Sequence, residues 1–246
     1  MRLPDAIDGL RPSIVQIRAS GPGTPAQGAT IGSGVIVTDS GFIVTARHVL
    51  DAIDFERGQT LTIAFAFPDV DTPGVTRRAN FMGVEGKLVD VDEQHDLALI
   101  EAVGGLANAG GVLGNTQVPN APAPAHLSTA PLCEGSQLAL SGYPLDQPSL
   151  VTNTGVLACT LSSEVEIGGV KVRHLGDFTA HPGNSGGPVF SLRDGAVIGV
   201  CVAGRLASVV GGLTVIVAAV DVIAMLERNG LTANRPARVV AGSWYE

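Results

Sequence analysis

The chain has 246 residues, of which 45% are hydrophobic and 15% charged, and its formal net charge is −8. This composition supports a packed core and excludes an intrinsically disordered chain. The acidic balance argues against nucleic acid as a partner, because nucleic-acid binding requires a basic face. The 32 glycines and 15 prolines indicate many turns, and therefore short strands rather than long helices.

Targeting signals and disulfides are not evident in the sequence. The first twenty residues contain no apolar run long enough for a signal peptide, and no stretch approaches the roughly 20 apolar residues of a membrane helix. The three cysteines, an odd number, do not suggest a disulfide framework. We therefore expect a cytoplasmic protein with no membrane partner. On the separate grounds given below, we also expect no cofactor and no metal.

The first half of the chain reads as a series of short strands rich in β-branched residues. The hairpin between the second and third strands turns at residues 39–41. Glycines 28, 32 and 34 resemble a nucleotide fingerprint, but no helix follows them, so we reject a dinucleotide site. The predicted strands are residues 14–18, 30–37, 42–45, 61–67, 87–92 and 96–101.

Two polar residues lie at strand ends in this half. His48 follows the third strand, and Asp96 opens the sixth. Each has an ordinary structural interpretation: the histidine as a buried core residue, and the aspartate as a cap on a strand end. If a serine nucleophile lies elsewhere in the chain, they are instead candidates for its base and for the carboxylate that orients the base.

The second half repeats the pattern of short strands after a Gly-, Ala-, Asn- and Pro-rich connection over residues 102–131, which has at most one short strand near 112–113. Asp221 is predicted to cap a helix through Arg228, with Gly230 as its stop. The predicted strands are residues 137–144 with their turn, 150–152, 155–157, 165–167, 170–173, 189–190, 196–201 and 213–217.

Ser185 stands in the glycine-rich pattern Gly183-x-Ser185-x-Gly187. The glycines allow close approach of a substrate carbonyl and let successive N–H groups converge on a developing oxyanion. An incidental serine in a turn is the simpler interpretation. The nucleophile elbow of α/β-hydrolases is excluded, because those enzymes place their histidine after the serine, whereas all five histidines here precede Ser185.

Together these motifs resemble trypsin-like (chymotrypsin-fold) serine proteases of the bacterial HtrA/Deg type, over residues 11–229. The resemblance is carried by four groups of residues in the family's order His, Asp, Ser. They are 32–34 with 41–49, 96–100, 142–144 with 154–156, and 182–188.

The resemblance implies an all-β fold of two six-stranded antiparallel barrels with a short C-terminal helix. The N-terminal barrel would span residues 10–101, the connection 102–131, the C-terminal barrel 132–219 and the helix 220–230. By position, Ser185 is the nucleophile, His48 the general base and acid, and Asp96 the orienter of His48. The N–H groups of Gly183 and Ser185 form the oxyanion hole. The implied reaction is peptide-bond hydrolysis of polypeptide substrates through an acyl-enzyme, in a chain open to homo-oligomerisation or a regulatory partner.

Several positions depart from the family pattern. Asn184 is neutral where digestive trypsins have an aspartate that pairs with a newly cut N-terminus, so we expect no activation by that route. Thr179 replaces the aspartate of Arg/Lys-cleaving trypsins, which favours a small or medium apolar P1 residue. His181 replaces an asparagine for no evident reason. We expect no PDZ domain after Gly230 within this chain. The expected pocket residues are Thr179, Ala180, His181, Leu213, Thr214 and Val215.

Three alternatives remain from the sequence. The chain could be a catalytically silent or partner-activated binding or chaperone module, although an intact set of His48, Asp96 and Ser185 weighs against it. A metal centre using His95, Asp96, His174 and His181 is disfavoured because no spacing matches a helix-borne zinc motif. A thiol function is disfavoured because no Cys-x-x-Cys pair occurs, so we expect buried structural cysteines. The cysteines are Cys133, Cys159 and Cys201.

Overall fold

The structure is a computed structural model that describes residues 3–68, 79–106, 122–146, 149–202 and 212–234. Its strands form two closed antiparallel barrels of six strands each, so the predicted architecture is confirmed. The first barrel contains β1 (Ile14–Ser20), β2 (Ala29–Ile36), β3 (Phe42–Ala46), β4 (Thr60–Pro68), β5 (Ala79–Asp92) and β6 (Leu97–Ala102). The second contains β7 (Gln137–Gly142), β8 (Val151–Ile167), β9 (Val170–Asp177), β10 (Pro188–Ser191), β11 (Val197–Cys201) and β12 (Thr214–Ala218).

Helices and short turns flank the barrels. Helix α1 (Leu3–Leu10) precedes β1, and helix α2 (Ala219–Arg228) follows β12 directly. Short 3-10 turns cover Arg11–Ser13, Arg47–Ala52, Phe55–Arg57 and Pro144–Asp146. Neither α1 nor α2 is long and apolar enough to cross a membrane, and the same holds for every helix within the described residues.

Strand order around the first barrel places the ends of β3 and β6 side by side. The barrel closes in the order β1-β2-β3-β6-β5-β4, and in the antiparallel β3–β6 pair Ala46 lies opposite Leu97. The residues that follow β3 and those that precede β6 are therefore neighbours. Val44, Leu97 and Leu99 are fully buried in the hydrophobic core, so this pair of strands lies inside the barrel and not at its surface.

The second barrel places the glycine-rich motif between two of its strands. The motif runs directly into β10, which pairs with β7 and with β11. Buried Val189 and Phe190 anchor this short strand in the barrel core. The turn before β10 is therefore held on a rigid support, although it is itself an irregular segment.

The structure corrects four expectations. Helix α1 was not predicted at all. The three short strands predicted within residues 150–167 are one continuous strand, β8 (Val151–Ile167). Helix α2 begins at Ala219, so Asp221 lies in its first turn and the predicted cap is wrong: the N-cap residue is Ala218, which has no capping side chain. Cys133 is exposed and Cys159 half-buried, and only Cys201 is buried as expected; none of the three forms a disulfide within the described residues. The short strand predicted near 112–113 lies outside the described residues.

Candidate active site

His48 and Asp96 form a hydrogen-bonded pair at the paired ends of β3 and β6. His48 Nδ1 lies 2.5 Å from Asp96 Oδ2, and the backbone N–H of His48 donates to Asp96 Oδ1 at 2.9 Å. The N–H of Arg47 donates to the Asp96 carbonyl oxygen at 2.8 Å. Both carboxylate oxygens and the backbone carbonyl oxygen of Asp96 are thus hydrogen-bonded to the segment that carries His48. This arrangement fixes the ring so that Nδ1 carries the proton and Nε2 is left as an acceptor.

The positions of these two residues explain why a carboxylate can act here. Asp96 is 3% exposed and has a positive φ of 53°, a conformation that aspartate tolerates better than most residues. His48 lies in the 3-10 turn just after β3 and not at the strand end itself, and 13% of its side chain is exposed. The carboxylate is therefore shielded from water, while the imidazole retains access to the surface.

Ser185 lies in a tight turn stabilised by hydrogen bonds of its own barrel. The N–H of Gly186 donates to the Cys201 carbonyl at 2.7 Å, and the N–H of Gly187 donates to the Asn184 carbonyl at 2.9 Å. Ser185 is 5% exposed. A methyl group on Gly32 would lie 2.6 Å from Val49 Cγ1 and 3.2 Å from the Ser185 carbonyl. Ser185 and the residue after His48 therefore both pack against the same point of β2.

Ser33 connects this turn to the first barrel. Its N–H donates to the Ser185 carbonyl at 2.9 Å, and its hydroxyl donates to the Gly183 carbonyl at 2.7 Å. The same hydroxyl accepts from the N–H of Tyr143 at 2.8 Å. Sequence reasoning assigned Ser33 no role. The pattern at residues 32–34 could have drawn attention to Ser33, but the hydrogen-bond partners of its hydroxyl are about 110 to 150 residues away in the chain.

Gly183 occupies the third position of a type II turn. The N–H of Asn184 donates to the His181 carbonyl at 2.9 Å, and Gly183 has a φ of +96°, as this turn type requires. The Pro182 carbonyl accepts from the N–H of Leu145 at 2.9 Å. Because the peptide is trans, the N–H of Gly183 points to the opposite side. In the part of the chain that the structure describes, no protein oxygen accepts from the N–H groups of Gly183 or Ser185.

The expected pocket residues form two groups, residues 179–181 in the segment before the Ser185 turn and residues 213–215 at the start of β12. Thr179 is exposed, and its carbonyl accepts from Asn153 Nδ2 at 2.8 Å; Ala180 is half-buried and His181 exposed. Thr214 is buried, and its hydroxyl donates to the Phe178 carbonyl at 2.5 Å, so β12 is fastened to the segment that leads to Thr179. Leu213 is half-buried, and Val215 is fully buried in the barrel core. Residues 203–211 lie outside the described residues.

The four residues considered for a metal centre do not converge. Asp96 is bonded to His48, and His174 Nδ1 lies 3.3 Å from the Thr160 hydroxyl. His181 is exposed in the turn before Ser185. His95 instead contacts acidic residues from the second barrel and from α2, which sequence spacing did not indicate.

Comparison with known proteins agrees with this geometry. Residues 32–200 match the family described as the trypsin-like peptidase domain. The curated relative named Do-like 14, from Arabidopsis thaliana, is 31% identical over 176 residues. The alignment covers 70% of this chain but only 35% of that relative, so the chain spans about a third of its length.

Solved structures share the fold at lower sequence identity. The crystal structure of Deg5 gives a TM-score of 0.62 at 21% identity, covering 90% of each chain. The MamO protease domain from Magnetospirillum magneticum gives 0.60 at 18%, covering 88% of this chain and 97% of that one. Rv3671c from M. tuberculosis, in an inactive mutant form, gives 0.60 at 18%, covering 92% and 90%. Because residues 32–200 match that family, the chain belongs to the family of trypsin-like peptidase domains.

Proposed function

We propose that this domain hydrolyses peptide bonds through an acyl-enzyme formed on Ser185, with His48 as general base and acid and Asp96 as the orienting carboxylate. The observation that carries the proposal is the doubly hydrogen-bonded His48–Asp96 pair. The turn that carries Ser185 is fastened to the same barrel through Ser33. An oriented histidine base of this kind is one of the relations that nucleophilic catalysis by serine requires.

In the first step, the Ser185 hydroxyl oxygen attacks the carbonyl carbon of the scissile peptide bond, and His48 Nε2 takes the hydroxyl proton. The Asp96 carboxylate accepts a hydrogen bond from the Nδ1–H of His48 and stabilises the imidazolium that forms. The carboxylate itself stays ionised. Because its oxygens are already held by two N–H groups of the His48 segment, little reorganisation accompanies the proton transfer.

The negative charge that develops on the substrate oxygen is met by the N–H groups of Gly183 and Ser185. The orientation of the Pro182–Gly183 peptide, with its carbonyl bonded to Leu145, supports a donor that is already aimed before substrate arrives. Donors of this kind each contribute about 2.7–4 kcal/mol to transition-state stabilisation.

Collapse of the tetrahedral intermediate breaks the peptide C–N bond. The protonated His48 gives its proton to the leaving amine, and the acyl group stays on Ser185 as an ester. Water then attacks the ester carbonyl while His48 again accepts a proton, and the carboxylic acid product leaves with the serine regenerated. No cofactor enters this sequence.

The proposed P1 preference is for small or medium apolar residues. Thr179 provides no carboxylate for an Arg or Lys side chain, and the Thr214 hydroxyl is already bonded to the Phe178 carbonyl. A basic P1 side chain would then be desolvated without a partner, which is unfavourable. A peptide library sequenced after digestion tests this preference, and preferential cleavage after Arg or Lys would contradict it.

The proposed hydrolysis is tested by incubating the wild-type chain and Ser185→Ala with an unfolded protein substrate and identifying new termini by mass spectrometry. We expect cleavage by the wild type only, with both proteins showing the same circular dichroism. A folded wild type that cleaves nothing would instead favour a silent or partner-activated module.

A further inference from the structure

A second group of polar side chains converges on the far side of the turn that carries Asp96. We call it the rear cluster: His95 from the turn between β5 and β6, Glu164 from β8, and Asp221 from the first turn of α2. His95 Nε2 lies 3.2 Å from Glu164 Oε1 and 3.9 Å from Asp221 Oδ1. One ligand atom from each residue lies within 4.8 Å of the other two, and within the described residues no other group of three His, Cys, Asp or Glu side chains meets this condition.

Asp221 has no hydrogen-bond partner in this cluster. The residue is only 8% exposed, and its Oδ2 atom is fully buried without a hydrogen bond to any described residue. Its nearest cationic atoms, His95 Nε2 and Arg173 Nε, are 3.9 and 3.8 Å from Oδ1, beyond hydrogen-bond distance. Burial raises the pKa of this carboxyl above its ordinary value. A buried carboxylate without partners is costly, and such groups normally bond to protein, water or an ion.

The other ring nitrogen of His95 also faces a carboxylate. Nδ1 lies 3.1 Å from Asp92 Oδ2, while Arg228 Nη1 lies 3.0 Å from the same carboxylate oxygen. Burial alone would raise the pKa of Asp92, but hydrogen bonds from Arg228 and His95 lower it below its ordinary value. Metal-bound histidines usually have a carboxylate of this kind behind the ring nitrogen that is not a ligand.

We propose that the rear cluster binds a divalent transition-metal cation of the Zn²⁺ class through His95 Nε2 and one oxygen each from Glu164 and Asp221. Imidazole and carboxylate together suit Zn²⁺ and its neighbours better than Mg²⁺ or Ca²⁺. Zinc bonds of about 2.0–2.2 Å place tetrahedral ligands about 3.3–3.5 Å apart. The separations from His95 Nε2, 3.2 and 3.9 Å, require shifts of a few tenths of an ångström, and the two carboxylate oxygens, within 4.8 Å of each other, have to approach by up to about 1 Å. Water completes the fourth position.

Arg173 carries a positive charge that would compete with a bound cation for Glu164 and Asp221. Its Nη2 atom lies 2.9 Å from Glu164 Oε1, and its Nε atom is the one 3.8 Å from Asp221 Oδ1. About a third of its side chain is exposed, so the guanidinium can move outward when a cation binds. The rear cluster has two interpretations, a cation site and a network of ion pairs, and Arg173 distinguishes them. Removing its guanidinium would strengthen cation binding at the first and would weaken the second.

Cation binding would join three separate parts of the fold. His95 directly precedes Asp96, while Glu164 and Asp221 belong to the second barrel and to α2. A bound ion therefore cross-links the turn that holds the candidate orienting carboxylate to the opposite barrel. The inference does not depend on the proposed hydrolysis, because its test measures binding.

The test is calorimetric titration of the full chain with Zn²⁺. We expect one saturable site whose affinity falls at least about a hundredfold in His95→Ala and in Glu164→Gln, and about 10–100-fold in Asp92→Asn. His174→Ala, on β9 outside the cluster, and His48→Ala, which removes the other histidine–carboxylate pair, should bind as the wild type does. Binding that survives His95→Ala, binding lost in His48→Ala, or no saturable binding at millimolar Zn²⁺ would each overturn the proposal.

Arg173→Gln provides an independent arm that does not require loss of a ligand. We expect tighter Zn²⁺ binding than in the wild type, and a Tm that rises by roughly 5–10 °C when Zn²⁺ is present at a hundred times its Kd. An Arg173→Gln protein whose Tm is unchanged by Zn²⁺ would show that the cluster is an ion-pair network only. Mg²⁺ at the same concentration should leave Tm unchanged.

Discussion

The two barrels contribute to the candidate active site in different ways. The first barrel provides His48 and Asp96, which are bonded to each other and to the backbone of the same two strand ends. The second barrel provides the turn around Ser185, whose carbonyls at 183 and 185 accept hydrogen bonds from Ser33 of the first barrel. One half of the site is thus complete within its own barrel, whereas the other depends on its neighbour.

The two halves of the site should therefore differ in their sensitivity to changes in how the barrels dock. The geometry of the base and its carboxylate should survive small changes in how the barrels dock. The nucleophile turn should not, because a serine of the opposite barrel satisfies two of its carbonyls. Substitutions can therefore be chosen that break one half, the other half, or the contact between them.

The largest effect on kcat is expected from a substitution in the His48–Asp96 pair, which is complete within the first barrel. Asp96→Asn keeps the shape of the side chain but favours the wrong tautomer of His48, so kcat should fall about 10⁴-fold while the fold is retained. The measurement is hydrolysis of an optimised peptide, with circular dichroism as the check on folding. Glu93→Gln, three residues earlier and 72% exposed, is the matched control and should retain wild-type kcat; an equal loss in both variants would contradict the assignment.

Breaking the turn itself should have the next largest effect. In Gly183→Ala the new methyl group would lie 2.7 Å from the Tyr143 carbonyl and 2.8 Å from Pro144 Cα, at a φ of +96°. The peptide must rotate or shift, and loss of one oxyanion donor lowers kcat about 10²–10³-fold.

The matched control for that substitution is Gly23→Ala. Gly23 also has a positive φ, of +79°, but nothing lies within 4 Å of the added methyl group. It should lose some stability and no activity. Full activity in folded Gly183→Ala would show that the oxyanion donors lie elsewhere.

Removing the contact between the barrels should have an intermediate effect. Ser33→Ala leaves the Gly183 carbonyl and the Tyr143 N–H without their partner, at a cost of about 1–3 kcal/mol for each group left unsatisfied. We expect kcat/KM to fall about tenfold, equivalent to about 1.4 kcal/mol. Ser141→Ala removes a buried serine whose hydroxyl bonds to Thr152 within one barrel; it should lower the free energy of unfolding without lowering kcat/KM. Equal values of kcat/KM for Ser33→Ala and Ser141→Ala would contradict this prediction.

The smallest effect is expected at the surface contact between α2 and the first barrel. Arg228 Nε lies 2.6 Å from Asp90 Oδ2, and 42% of the arginine side chain is exposed, so Arg228→Met should lower the free energy of unfolding by less than about 1 kcal/mol. The matched control is Arg193→Met, a more exposed arginine. Denaturant titrations at low and high salt should show a salt-dependent difference for Arg228→Met only.

The pH dependence of that difference follows from Asp90 and from Asp92, which also binds Arg228 and whose pKa is held below its ordinary value by hydrogen bonds despite its burial. The hydrogen bond from Arg228 lowers the pKa of Asp90 below its ordinary value of 3.8. A carboxyl whose pKa is lower in the folded state contributes stability that is present above the unfolded value and is lost as the pH falls through the folded one. The gap between wild type and Arg228→Met should therefore be full at neutral pH and shrink below pH 3.8. A gap that grows on acidification would contradict this.

Local sequence predicts much of this fold because each strand carries its own pattern. The strand and turn predicted at residues 137–144 contain β7 (Gln137–Gly142), and most of the other predicted strands differ from the observed ones by no more than a few residues at either end. His48, Asp96 and Ser185 could be selected because strand ends and glycine-rich turns expose polar side chains at predictable places. The two-barrel topology came from the family resemblance and not from periodicity.

The features that sequence did not predict depend on contacts between distant segments. Ser33 has a role only because the second barrel places two carbonyls and an N–H around it. Asp221 was expected to cap a helix, which is its usual local role, yet it lies in the first turn of α2 beside His95 and Arg173. Spacing along the chain carries no information on such clusters, because their members come from separate elements.

The central claim is that Ser185 is a nucleophile activated by His48. Labelling with a fluorophosphonate probe tests it most directly, because the probe forms a covalent bond only with an activated serine. The account predicts labelling of the folded wild-type chain at Ser185, and none of Ser185→Ala or His48→Ala. A folded wild type that is not labelled, or a Ser185→Ala variant labelled at the wild-type rate, would contradict it.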